Sequence, residues 1–194
     1  LAVLGLDAAH LTPRHDLELV DLDVARMETV LTTWHDRYVA AASEGRRVAL
    51  FRNRGRAAGN SLAHAHAQII ATDVVPPAVS RREARAAAYH AETGRCVVCD
   101  LPELAPAHEA RTIVRNGAFT ALVPWAAETA FEVWILPAEH RADFGETDPD
   151  ERRLLAGLLA DVLDRLRGQG GDPPYNLMVV SSPHRDRSSA PFHW

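Results

Sequence analysis

The sequence has no lysine at all: its 21 basic residues are all arginine, set against 26 acidic ones for a net charge of −5. No long basic run offsets that balance, which argues against a nucleic-acid partner. Long apolar runs are missing too. None approaches the roughly 18 residues needed to cross a membrane, so no membrane partner is expected. The opening "LAVLGL" has neither an initiating Met nor a signal-peptide n-region. The chain therefore reads as a cytoplasmic protein, and as a fragment lacking both ends. Cysteine is scarce: Cys96 and Cys99 are the only two, too few and too close together for a disulfide framework. What is present is ordinary for a globular protein, with 47% apolar and 24% charged residues, enough for one sizeable domain or one and a half small ones.

Periodicity then divides the chain. Residues 23–43 carry Val24, Met27, Val30, Leu31 and Trp34 at helical spacing, with Gly45 ending the helix. "RRVALFRN" reads as a strand, as does "HAQIIATDVV" up to Pro76 and Pro77. A polar helix follows over about 80–92. "RTIVRNGAFTALVPW", turning at Asn116-Gly117, and "FEVWILP" read as strands, 150–167 as an amphipathic helix, and "YNLMVVSS" as the last strand.

These elements repeat in order. His15 lies eight residues before Asp23 near the start of the first long helix, and His140 lies eight before Asp148 near the start of the second. Asn53 ends a strand with His64 eleven residues on; Ser182 ends the matching strand with His193 eleven residues on. The reading is a duplicated α+β unit, divided into 1–92 and 93–194.

The CxxC of "RCVVCD" is either a redox pair or half of a metal site. It follows a polar helical run and precedes the loop "DLPELAPAHEA", a context that favours metal over a thioredoxin-type motif. Cys96, Cys99, His140 and His193 then make a closed Cys2His2 set suited to structural zinc. The first unit offers the matching His15 and His64, with its two Cys expected before residue 1. His10 competes with His15, and the repeat offset selects His15. His35, His90 and His108 read as solvated, and His184, before the polar loop "RDRSS", as a surface residue rather than a substrate contact.

The stretch "FRNRGRAAGNSLAHAHAQII" concentrates the remaining chemistry. On a strand, His64 and His66 face the same way. The loop before them offers Gly59 for close backbone approach and Ser61 for an N–H and a hydroxyl toward an anion. Asn53 can hydrogen-bond a phosphoryl or sugar oxygen. A phosphate cradle beside an imidazole suits nucleophilic attack on phosphorus by His66. A purely structural His-x-His, in a non-catalytic, zinc-stabilised nucleotide-binding module, is the competing reading; it makes no demand on Gly59, Ser61 or Gln68.

Phe51, Asn53, Gly55, Gly59, Ser61, His64, His66 and Gln68 resemble, in order, the active-site segment of the galactose-1-phosphate uridylyltransferase family within the histidine-triad superfamily. "FEVWILPAEH" and "APFHW" are similar to further stretches of that family, so the resemblance spans nearly the whole chain. It implies duplicated triad-like domains, an antiparallel sheet flanked by helices, and a homodimer. It also implies ping-pong transfer of UMP between UDP-glucose and galactose 1-phosphate through a nucleotidyl-His66. The His64 carbonyl would orient the His66 ring, while Ser61 and Gln68 would donate to phosphoryl oxygens. Gln68 stands where triad hydrolases carry a third His. An amide cannot exchange protons near neutral pH, which favours transfer over hydrolysis. Relatives with the same segment and a CxxC in the second domain include ADP-glucose phosphorylases, so adenylyl transfer to phosphate is the alternative. Arg52, where uridylyltransferases of the family often have an acidic residue near the sugar, argues against galactose as the sugar.

Overall fold

A computed structural model describes residues 6–43, 47–62, 64–104, 107–169, 171, 173–181 and 190–194, with the backbone alone for 6–10. Gly45, Ser182 and His184 lie outside the described residues. The fold is α+β. One antiparallel sheet has the order β1-β3-β2-β7, built from β1 (Leu6–His10), β2 (Arg47–Arg54), β3 (His66–Thr72) and β7 (Tyr175–Val179). A second, β4-β5-β6, consists of β4 (Thr112–Arg115), β5 (Phe119–Leu122) and β6 (Trp134–Pro137).

Two long helices lie over the core, and each begins for the same chemical reason. In α1 (Val24–Ala42) the Asp23 carboxylate accepts from the Arg26 N–H. In α5 (Pro149–Gly168) Asp148 accepts from the Glu151 N–H, while the Glu151 carboxylate accepts from Asp148 N. Such caps satisfy N–H groups that the helix itself leaves without partners. The buried stripe of α1 runs Met27, Val30, Leu31, Trp34, Tyr38 and Ala42; Val24 faces solvent. That stripe packs with Leu155, Leu159 and Val162 of α5 into one cluster that also takes in Leu50, Ile69 and Phe119 from both sheets.

The Asn116-Gly117 turn forms as the sequence indicates. Asn116 Oδ1 accepts from Ala118 N and Phe119 N, and its Nδ2 donates to Leu154 O of α5 at 2.8 Å, pinning the hairpin to the helix. β6 is shorter than "FEVWILP" because Phe131 adopts φ 61° and Glu132 turns back to accept from Glu128 N. The polar helix is α2 (Pro77–Thr93), starting a turn earlier than expected with Pro77 at its first position. "DLPELAPAHEA" contains two single helical turns, α3 (Leu101–Leu104) and α4 (His108–Arg111).

Alternation along the first sheet decides which residues can form a site. Val48, Leu50 and Arg52 of β2 and Ala67, Ile69 and Ala71 of β3 are buried on the helix side. Register then places Phe51 opposite Gln68 and Met178, and Asn53 opposite Asn176, on the other face. His66 and Gln68 share that face.

Candidate functional site

β3 begins at His66, so His64 sits in the bend just before the strand rather than on it. The two imidazoles accordingly serve different neighbours. His64 Nε2–H donates to Thr12 O at 2.7 Å, and its ring lies 4.2 Å from that of His15, centroid to centroid. His66 is buried, and its Nδ1–H donates to the His64 carbonyl at 2.9 Å. A carbonyl oxygen can only accept, so this bond needs a proton on Nδ1, and in the neutral ring Nε2 then carries the lone pair. Among the described residues nothing hydrogen-bonds that Nε2.

The loop beside it is a tight turn. Gly55 (φ 80°) and Gly59 (φ 85°) bracket a single 3-10 turn over Arg56–Ala58, in backbone conformations that favour glycine. Ala58 N and Asn60 N both donate to Gly55 O, and Gly59 N donates to Arg56 O. Those three N–H groups are therefore spent inside the loop. Side-chain donors around the loop are the exposed Ser61 hydroxyl, the Asn53 amide and the Gln68 amide. Asn53 Nδ2 lies close to Gly59, 3.5 Å from where a Cβ would stand.

Asn176 escapes a reading made from the His-x-His segment alone. It lies on β7, 123 residues from Asn53, and its Nδ2 donates to Asn53 Oδ1 at 2.8 Å and to Ala58 O at 2.9 Å. Strand alternation in "YNLMVV" could have flagged it, since Tyr175, Leu177 and Val179 pack on the core.

A second cluster forms around the CxxC. Ligand-type atoms of Cys96, Cys99, His140 and His193 all lie within 4.8 Å of one another. Cys99 Sγ is 3.3 Å from His140 Nδ1 and 3.5 Å from His193 Nδ1. Bonds of about 2.0 Å to nitrogen and 2.3 Å to sulfur put neighbouring ligands about 3.5 Å apart on a tetrahedron, so the four residues fit one metal ion. His193 Nε2–H donates to Pro137 O at 3.1 Å, which directs Nδ1 to the metal position. Burial pulls His193 down to about 4 and keeps it neutral, as a ligand must be. Burial, with Cys96 adding to it, pushes the Cys99 thiol up to about 11; a bound cation would displace that proton. Asp100 braces the turn, its N–H donating to Cys96 O while its carboxylate accepts from Tyr89 Oη at 2.7 Å and Arg95 Nε at 2.8 Å.

The rings of His15 and His64 meet, while the backbone of His10 pairs with His66. No further Cys stands near them among the described residues. Two readings need correction. Arg52 does not face the cleft. It is buried on the core side, ion-paired with Glu18 and 5.9 Å from the Tyr175 ring centroid, so it carries no information about the sugar. His35 is not solvated either: its Nε2–H donates to Gly145 O at 3.2 Å and its ring meets Phe144 edge-on. His90 Nδ1 likewise has a partner, Arg95 O, at 3.3 Å.

Comparison with known proteins identifies this arrangement. Residues 11–76 match the family model described as galactose-1-phosphate uridyl transferase, N-terminal domain. An ADP-glucose phosphorylase of Arabidopsis thaliana is 33% identical over 187 residues, 94% of this chain and 52% of that protein. The chain belongs to the galactose-1-phosphate uridylyltransferase family. A member from Thermotoga maritima, named galactose-1-phosphate uridylyltransferase, is 27% identical over 93% of this chain and 57% of its own length. Among solved structures, the Arabidopsis ADP-glucose phosphorylase with bound ADP-glucose superposes with a TM-score of 0.89 at 33% identity, over 97% of this chain and 61% of that one. A uridylyltransferase superposes equally well at 30% identity, over 97% and 60%. The chain thus spans between half and two thirds of the length of these four relatives. No helix among the described residues is long and apolar enough to cross a membrane.

Proposed function

We propose that this protein transfers a nucleoside monophosphate from a nucleoside diphosphate hexose to a phosphate acceptor, through a covalent intermediate on His66. The observation that carries the proposal is the bond from His66 Nδ1–H to the His64 carbonyl, which aims an unprotonated Nε2 away from the backbone. The Nε2 lone pair attacks the α-phosphorus; a P–N bond forms as the bond to the bridging oxygen breaks, and that electron pair leaves with the hexose 1-phosphate. In the second half-reaction an acceptor phosphate oxygen attacks the same phosphorus from the opposite side, the P–N bond breaks, and Nε2 recovers its lone pair. Ser61, Asn53 and Gln68 donate to the phosphoryl oxygens as charge grows on them. Gln68 holds that group without offering a proton relay to water.

The donor is ADP-glucose and the acceptor inorganic phosphate in the reading that the 33% identity to the phosphorylase supports, against 27% for the Thermotoga uridylyltransferase. Transfer of UMP between UDP-glucose and galactose 1-phosphate is the second reading, supported by the family match over 11–76. The Cys96, Cys99, His140 and His193 set holds zinc in a structural role, because four protein ligands leave no position for water. His15 and His64 contribute two ligands to the corresponding site of the first unit. The units are 1–92 and 93–194, meeting where β7 pairs with β2.

Intact-mass spectrometry after mixing with ADP-glucose or UDP-glucose separates these readings. An adenylyl adduct discharged by phosphate supports the first; a uridylyl adduct discharged by galactose 1-phosphate supports the second. The adduct must disappear in His66→Gly, and an adduct that survives that change refutes the nucleophile.

A further inference from the structure

We infer that Asn176, contributed by the second half of the chain, is a positioning residue of the nucleotidyl-transfer site: it fixes the orientation of the Asn53 amide and clamps the glycine loop under the phosphoryl group. The inference rests on the function proposed above and adds to it a residue remote in sequence from the His-x-His segment.

Three groups in contact determine one another's orientation. Ala58 O is a backbone carbonyl and can only accept. The Asn176 atom 2.9 Å from it must therefore be the amide nitrogen. That nitrogen spends its second hydrogen on Asn53, so the Asn53 atom 2.8 Å away must be the oxygen. The Asn53 NH2 is thereby turned to the side of Gly59, 3.5 Å from where a Cβ there would stand. An isolated Asn flips its amide at little cost, presenting oxygen and nitrogen alternately to solvent. Presented to a phosphoryl group, the oxygen repels and the nitrogen donates, so a fixed flip converts an ambivalent side chain into a preorganised donor. The second bond matters as well. Ala58 lies in the turn closed by the Ala58, Gly59 and Asn60 N–H groups, and Asn176 ties that turn to β7. Gly55 is held against the same strand's approach, with Pro174 Cβ 3.1 Å from where its own Cβ would stand, and Arg54 Nη1 donates to Pro173 O at 2.9 Å.

The test uses the protein expressed from its complete coding sequence, with ADP-glucose and UDP-glucose as donors, and follows adduct formation in a single turnover. Asn176→Asp is isosteric but replaces both donor hydrogens by an acceptor, so it repels Ala58 O and reverses the Asn53 amide. It should slow adduct formation about 100-fold, the loss associated with one oriented donor, with donor affinity changed far less. Asn176→Ala should lose about tenfold, because the free Asn53 amide still finds the right flip part of the time. Asn53→Ala removes the donor itself, and adding Asn176→Asp to it should cost little more. Equal losses in the Ala and Asp variants, or losses that multiply in the double variant, would overturn the inference. So would a loss that merely tracks the melting temperature. Failure of the underlying function looks different: the unsubstituted protein then forms no adduct with either donor, and both claims fall together.

Discussion

Glu18 and Arg52 form an ion pair whose two ends should respond unequally to substitution. The Arg52 side chain is 1% exposed, while Glu18 is 24% exposed and also lies 3.9 Å from Arg54 Nε. Glu18→Gln removes the negative charge and strands a guanidinium inside the core. Leaving a buried charge without its partner costs 3–5 kcal/mol in general. The lower end applies here, because the Tyr175 ring face lends some compensation and Gln still offers an oxygen to accept from Arg52. The expected loss is about 3 kcal/mol, or roughly 6–12 °C at the 2–4 °C per kcal/mol typical of domains this size. Arg52→Met does the reverse. It removes a buried charge, two of whose nitrogens, Nε and Nη1, find no hydrogen-bond partner among the described residues, keeps most of the apolar stem, and leaves a carboxylate that water can still reach. Its cost should stay near 1 kcal/mol, about 2–4 °C. Thermal unfolding followed by circular dichroism at one pH and salt concentration measures both. Arg52→Met costing as much as Glu18→Gln would refute this assignment of the pair. The same variant should leave the KM for the acceptor phosphate unchanged; a large KM effect would return Arg52 to the substrate cleft.

Two further changes test the metal cluster and the choice of transfer over hydrolysis. Cys99→Ser should lower the metal content by one ion per chain in elemental analysis and lower the melting temperature, and a chelator should then produce a smaller further drop than in the unsubstituted protein. An unchanged metal count would rule out the four-residue set. Gln68→His should shorten the lifetime of the nucleotidyl-enzyme in the absence of acceptor, since an imidazole can relay a proton to or from water where an amide cannot. An adduct as long-lived as that of the unsubstituted protein would show that water is excluded by other means.

Much of this was legible in the sequence because local signals agreed with the tertiary result. Asp23 and Asp148 mark their helices with a cap that needs no distant partner, and the apolar spacing that follows is long enough to be unambiguous. Asn116-Gly117 closes its own turn. The four metal-type ligands were legible only through the repeat: CxxC is a local motif, but His140 and His193 are ordinary residues until their offsets match those of His15 and His64. The failures have different causes. His35 looked solvated because Gly145 and Phe144 approach it from across the fold. Arg52 looked like a cleft residue by analogy, although its parity with Val48 and Leu50 already placed it inside. Strand alternation was a better guide to Arg52 than resemblance.

The pairing of β2 with β7 also bears on how such a site can arise from a repeat. Leu50 stands three residues before Asn53 and Val179 three before Ser182, and these two residues face each other directly in the sheet. Antiparallel strands that pair at matching positions are related by a local two-fold axis through that pair. The long helices, likewise matched by the repeat, pack on each other in the same core. Thr12 and Pro137, each three residues before its unit's metal-type His, both offer a carbonyl to a ring Nε2–H, of His64 and His193 respectively. The chemistry on the two sides of that axis is nevertheless unequal. Asn53 faces Asn176 because the axis lies at Leu50 and Val179; Asn176 is not the repeat's match for Asn53, which is Ser182. The two-fold thus sets side by side residues that were never equivalent, and one of them can specialise as donor while the other holds it in place.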